Sequence, residues 1–211
     1  MIKAVWTDFG GVLTPPVAHT FAAFCTKTGL QPEPLLAAVL EVTARYGTDD
    51  IMLPLDTPLV TEDEWIRQIA EVLSGITGAE VEMVSLADTW FDGRETNHLW
   101  LEELHRLRDL GLFVGMLSNM PPAWDAHWRR MVPPEGVFAD VVSSAEVGHR
   151  KPDRKIFELA AARAGVLPHE CVLVDDLAKN CAGAEAAGWQ AVHFTDTPLA
   201  IKQLSALLTA A

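Results

Sequence analysis

Nowhere does the sequence cluster its lysines and arginines. It carries 16 basic against 29 acidic residues, for a formal net charge of −13. Such a chain has no patch to grip a phosphate backbone, which argues against nucleic acid as a partner. An acidic protein that handles an anionic substrate must supply positive charge locally, from a bound cation and one or two well-placed Lys or Arg. Cysteine is scarce too: Cys25, Cys171 and Cys181 are odd in number and lack CxxC spacing. They read as free buried thiols in a reducing cytosol. The seven histidines include no i, i+4 pair beside an acid, so a zinc site is not expected. No apolar run approaches a membrane span, and there is no internal repeat or low-complexity tract. The opening residues run straight into a strand pattern and a carboxylate, which leaves no room for a signal peptide. The expectation is a globular cytoplasmic protein whose oligomeric state the sequence does not set.

What is present is a change of pattern along the chain. From Asn97 onward, short apolar runs at 112–117, 137–142, 172–174 and 191–194 alternate with helix-period stretches at 99–110, 153–164, 179–187 and 198–208. That alternation predicts a three-layer α/β/α, Rossmann-like parallel sheet with helices on both faces, and residues 2–7 read as one more buried strand. In open sheets of this kind ligands bind beyond the carboxyl ends of the strands, where Asp8, Ser118 and Asp176 fall. Between 15 and 90 the pattern is helical, with expected helices at 17–28, 34–46, 62–73 and 80–88. The reading is a core of 1–14 and 91–211 with a helical cap subdomain, 15–90, inserted after the first strand. Thr61-Glu62-Asp63-Glu64 fits a capping box, which makes those acids helix-start residues rather than ligands.

Four segments carry candidate chemistry, and each also fits a plainer structural role. Asp8-Phe9-Gly10-Gly11 fixes a carboxylate on a strand end with glycines that let the backbone turn behind it; an ordinary turn is the alternative. Ser118-Asn119 ends another strand and offers a hydroxyl and an amide to a phosphoryl oxygen, or simply caps a helix. Lys151, in Gly148-His149-Arg150-Lys151-Pro152-Asp153, could offset repulsion between a carboxylate and a phosphoryl group, or belong to a solvated basic loop. Asp175 and Asp176 follow an apolar strand, and adjacent acids there suit a hard cation such as magnesium. Trp124 and Trp128 share a helical face and read as packing under the site's edge, and His149 as an exposed loop residue.

In this order, strand-Asp, strand-Ser-Asn, Lys-Pro before a helix and strand-Asp-Asp-xxx-Asn, the four segments resemble the haloacid dehalogenase-like superfamily over essentially the whole chain. The resemblance implies a Mg2+-dependent phosphatase acting on a small phosphorylated metabolite. In it Asp8 is nucleophile and metal ligand, Gly10 a metal ligand through its carbonyl, and Asp176 a metal ligand. Ser118, Asn119 and Lys151 meet the phosphoryl group, and Asp175 and Asn180 support the ligands from behind. The Asp-Asp-xxx-Asn form is similar to a branch that includes sugar-phosphate phosphatases and the phosphatase domain of soluble epoxide hydrolases.

One departure stands out. Family phosphatases usually carry a second aspartate two residues after the nucleophile, as general acid and then base, whereas this chain has Gly10. Two further readings follow: a dehalogenase whose aspartate attacks carbon without a metal, against which the paired acids argue, and a catalytically weak phosphate-binding module.

Overall fold

The computed structural model describes residues 1–209. Its elements in chain order are β1 (Ala4–Thr7), α1 (Val17–Thr28), α2 (Pro32–Ala44), α3 (Leu53–Asp56), α4 (Glu62–Thr77), α5 (Leu86–Phe91), α6 (His98–Asp109) and β2 (Phe113–Ser118). There follow a 3-10 turn (Pro122–Trp124), α7 (Asp125–Met131), β3 (Asp140–Ser143), α8 (Ser144–Val147), α9 (Arg154–Ala164), β4 (Cys171–Asp175), α10 (Ala178–Ala186), β5 (Gln190–His193) and α11 (Thr197–Thr209). The five strands form one parallel sheet in the order β3-β2-β1-β4-β5, so β1 is central and Asp8 leaves its carboxyl end between β2 and β4.

Alternation along each strand builds two apolar layers. Val5, Val114, Val172 and Val174 face one side with Trp100, Leu104 and Leu107 of α6 and Leu204 of α11. Ala4, Trp6, Leu117 and Leu173 face the other with Ile156, Phe157 and Ala160 of α9 and Ala184 of α10. A third cluster is made of Phe24 and Cys25 from α1, Leu35, Ala38 and Val42 from α2, and Trp65, Ile66 and Ile69 from α4, with Met52, Leu86 and Trp90 packed against both it and the first. No residue between β1 and α6 joins the sheet. All three cysteines are buried and free, and among the described residues no helix is long and apolar enough to cross a membrane.

Two expected elements are corrected. The helix expected at 80–88 occupies Leu86–Phe91, because Ser85 accepts from Asp88 N–H and starts it there, while Val81 N–H is taken by Ser74 Oγ. The strand expected at 137–142 is Asp140–Ser143: Val137 and Phe138 N–H turn back onto the Pro134 carbonyl and are lost to the sheet. At α4 only half the capping box forms. Thr61 Oγ1 accepts from Glu64 N–H, but the Glu64 side chain goes to Arg67 and Gln68. Glu62 exceeds its expected role, accepting from Ala87 N–H at 3.0 Å and from Trp124 Nε1 at 3.1 Å, and so ties α4 to α5 and to the turn after β2.

Gly115 in β2 lies against the Trp6 ring, and a Cβ there would come within 2.5 Å of it. Trp6 is wholly buried and cannot retreat. Gly115→Ala is therefore expected to cost about 1–3 kcal/mol through overpacking, read as a lower midpoint in urea unfolding.

Candidate active site

Three strand ends and one loop converge above β1. Asp8 N–H bonds the Val174 carbonyl at 2.9 Å, and the Asp8 carbonyl accepts from Thr7 Oγ1, itself held by Trp100 Nε1 at 3.0 Å. The loop behind Asp8 is held by Asn97. Its backbone N–H reaches Leu13 O, its Nδ2 reaches Val12 O and Thr197 Oγ1, and its Oδ1 caps α6 at Trp100 N–H. Gly11 has φ 75°, and any Cβ there would collide with the Asp176 carboxylate, so glycine lets the two motifs touch.

Lys151 is the hub. Its side chain is 1% exposed, with Nζ 2.9 Å from Asp8 Oδ1 and 2.5 Å from Asp175 Oδ2. The expected alternative of a solvated basic loop does not apply to it. Asn119 fixes the lysine's backbone, donating Nδ2 to Lys151 O and accepting Lys151 N–H at Oδ1, both at 2.8 Å. Asn119 lines the same cavity as Asp8, but both ends of its amide are thereby committed to positioning Lys151. Ser118 is buried at the end of β2 and lines that cavity.

Asp175 is fully buried and saturated. Oδ1 accepts from Leu177 N–H and Asn180 Nδ2, and Oδ2 from Lys151 Nζ. Asp176 differs, since its carboxylate finds only its own backbone N–H as a stabilising donor. Burial, followed by the charges of Asp8 and Asp175, pushes its pKa up to about 7. Asp8 is also raised, by burial first and with Lys151 pulling against it. Burial disfavours the Lys151 charge, yet Asp175 and Asp8 outweigh it and hold the ammonium above its usual range. One oxygen from each of Asp8, Asp175 and Asp176 can lie within 4.8 Å of the others. Three carboxylates against one ammonium leave negative charge unmatched, and an all-oxygen donor set with that surplus fits a hard divalent cation. Asn180 Oδ1, buried and without a partner, adds an oxygen beside them.

Several residues at the site had no sequence signal. Arg94, just before α6, lines the cavity with Nε and Nη1 buried and unpartnered. Burial lowers its pKa to about 10 against the pull of Asp8. Its guanidinium lies over Phe9, Trp90 and Phe91 at 5.5–5.8 Å. Arg150 bonds Asp50 and Asp56, both at 2.9 Å, and Lys179 bonds Asp50 at 2.9 Å, tying the α2–α3 region to the loop of Lys151 and to α10. The two acids differ in pKa: Arg150 and Lys179 overcome burial and hold Asp50 at about 2, whereas burial leaves Asp56 at about 6. Asp56 Oδ1 is buried without a partner. Trp128 packs on Phe9 as expected, while Trp124 both stacks on Trp90 and lines the cavity. His149 lies 3.8 Å from Asp153 and does not line the cavity.

The family model of the haloacid dehalogenase-like hydrolases matches residues 2–188, and the chain belongs to that family. A sesquiterpene phosphatase of Aspergillus oryzae is 32% identical over 106 residues, 50% of this chain and 54% of that protein. The chain thus spans about half the length of that relative. A glyceraldehyde 3-phosphate phosphatase of Methanopyrus kandleri is 31% identical over 92% of this chain and 84% of its own length. A family enzyme of Bacteroides thetaiotaomicron, crystallised as a magnesium complex, is 26% identical with a TM-score of 0.64, covering 90% of this chain and 92% of that one.

The raised pKa of Asp176 has a consequence for stability. Between the unfolded value of 3.8 and the folded value of about 7, the native state holds a proton that the unfolded chain has released. The stability this proton contributes is complete below the unfolded value and is lost as pH rises through about 7. In chelator, wild type should lose more stability between pH 5 and pH 8 than Asp176→Asn, as measured by urea midpoints at the two pH values.

Proposed function

We propose that this chain is a Mg2+-dependent phosphatase in which Asp8 takes the phosphoryl group of a small phosphorylated metabolite. The observation that carries the reading is the Asp8 carboxylate held 2.9 Å from a buried lysine, beside an under-compensated Asp176, at one end of a cavity of about 480 Å³. Asp8, Asp176 and the Gly10 carbonyl would hold the cation, which when bound supplies the charge that lets a carboxylate approach an anionic phosphoryl group.

An Asp8 carboxylate oxygen attacks phosphorus, the bond from phosphorus to the ester oxygen breaks, and an acyl phosphate forms on Asp8. Water then attacks that phosphorus, releasing inorganic phosphate and restoring the carboxylate. Lys151 favours the ionised form of Asp8 against burial and offsets charge on the transferring group, Ser118 donates to its oxygens, and Asp175 with Asn180 and Asn119 holds Lys151 in place. Arg94 supplies a second cation. Residues 15–90 act as a cap over a core of 1–14 and 91–211, admitting substrate and then excluding water. The surplus of acids weighs against a dehalogenase, whose carboxylate substrate they would repel. The two named relatives differ in the organic group their names carry, so they support phosphate ester chemistry without fixing the alcohol.

Three outcomes are expected. Asp8→Asn, or chelation of the wild type, should abolish p-nitrophenyl phosphate hydrolysis; activity persisting in Asp8→Asn would rule out the acyl phosphate. Lys151→Ala should lower kcat by more than it raises KM, with a stability loss of about 3–5 kcal/mol because Asp175 is left buried and unpaired. With no acid at position 10, phosphorylation should slow steeply as the leaving group becomes more basic. A general acid is worth about 10²–10⁴-fold, and Gly10→Asp should flatten that dependence, since a Cβ at Gly10 meets nothing within 4 Å. A flat dependence in the wild type would shift the proton transfer to another cavity group, with Asp56 the first to test.

A further inference from the structure

The cavity that begins at Asp8 is divided by chemistry. Its charged groups gather at the sheet end, and four of them, Asp50, Asp56, Arg150 and Lys179, are already bonded to one another. The opposite walls come from α1, α2, α4 and α5 and include Phe21, Phe24, Leu35, Val39, Ile69 and Leu86. From those four helices the only side-chain nitrogen or oxygen atoms in the lining residues are the indole nitrogens of Trp65 and Trp90. Leu36 and Val17 also line the cavity and are 43% and 47% exposed, so apolar surface continues outward.

Resting on the phosphatase reading above, we propose that the substrate is a phosphate monoester of an extended apolar group, an aliphatic or isoprenoid-like chain, rather than of a sugar or a hydroxy acid. A sugar would bring several hydroxyls into these walls, where two indole N–H groups are the only side-chain donors and no side-chain oxygen accepts. Each unmatched hydroxyl would lose its water without replacement. An apolar chain loses nothing polar there and removes both its own surface and that of the walls from water. At the other end the phosphate meets Lys151 and the unpaired guanidinium of Arg94, so the two halves of the cavity match the two halves of an amphiphile.

The test separates the alcohol from the chemistry by using ligands that cannot react. Linear alkylphosphonates from methyl to decyl, kept below their aggregation concentrations, are assayed with Mg2+ as competitive inhibitors of p-nitrophenyl phosphate hydrolysis and, independently of turnover, by titration calorimetry. The inhibition constant should fall about threefold to fourfold with each added methylene until the chain fills the cavity. A phosphonate analogue of glycerol phosphate should bind more weakly than butylphosphonate. Val39→Trp, which narrows the apolar end, and Leu36→Lys, which charges its half-exposed rim, should each reduce the advantage of the longer chains over the short ones. Binding independent of chain length, or tighter binding of the polar analogue, would overturn the proposal. No hydrolysis of p-nitrophenyl phosphate, with the chain-length dependence still seen by calorimetry, would instead overturn the phosphatase reading and leave an apolar phosphonate site.

Discussion

Lys151 sits between Asp8 and Asp175 with almost no contact with water, and the order of the whole site follows from satisfying that ammonium. A buried charge with no partner is costly, whereas one with two carboxylates and a fixed backbone is held in a single geometry. Asp175 from β4 and Asp8 from β1 meet the lysine's side chain, and Asn119 at the end of β2 meets its backbone, so one residue locks together three neighbouring strands. The arrangement leaves Asp176 as the acid that Lys151 acts on only from a distance, without bonding it. Rigidity at Lys151 and unmatched charge at Asp176 arise from the same distribution of bonds.

Much of this was readable before any coordinates because the signals were local. A short apolar run ending in a carboxylate or hydroxyl marks a buried strand and its functional tip, and Asp8, Ser118, Asp175 and Asp176 all come together as that pattern implied. Lys151 and Asn180 follow from their spacing to Pro152 and Asp176 in the family pattern. Arg94 and Asn97 did not show themselves, because each acts through partners far along the chain: Asn97 reaches Val12 and Thr197, and Arg94 matters by lacking a partner. Glu62 looked like a helix-start acid, and locally it is, while Asp50 and Asp56 lie between α2 and α4 and carried no signal. Their bonding to Arg150, Lys179 and Trp124 depends on how the helical segment lies against the sheet end. The early start assigned to α5 failed for a local reason, since the acidic residues at 80 and 82 resemble a first turn but lack the side-chain acceptor that Ser85 supplies.

The helical segment shows how one family scaffold leaves room for variety. Its cluster of Phe24, Leu35, Trp65 and Ile69 gives it a core of its own, so its inner face can vary without disturbing the layers that carry Asp8 and Lys151. The link between the two parts is partly polar, through Glu62 to Trp124 and Asp50 and Asp56 to Arg150, and partly apolar, through Trp90 stacked on Trp124. The polar contacts can be broken and remade with water as the substitute partner, which would suit the opening and closing proposed for the cap.

The central position of β1 also bears on how the molecule comes into being. Asp8 is translated early, yet the strands that flank it, β2 and β4, and the lysine that pairs with it are made much later. The loop behind Asp8 meets Asn97 before any of these, but Thr197, which completes the Asn97 bonds, is made last. A nascent chain on the ribosome therefore carries the Asp8 carboxylate for most of synthesis without the neighbours it has in the fold, and the helical segment, whose contacts are close in sequence, can take shape first. The cluster assembles only when β4 arrives, so a chain halted before it holds Asp8, Ser118 and Lys151 but lacks Asp175 and Asp176.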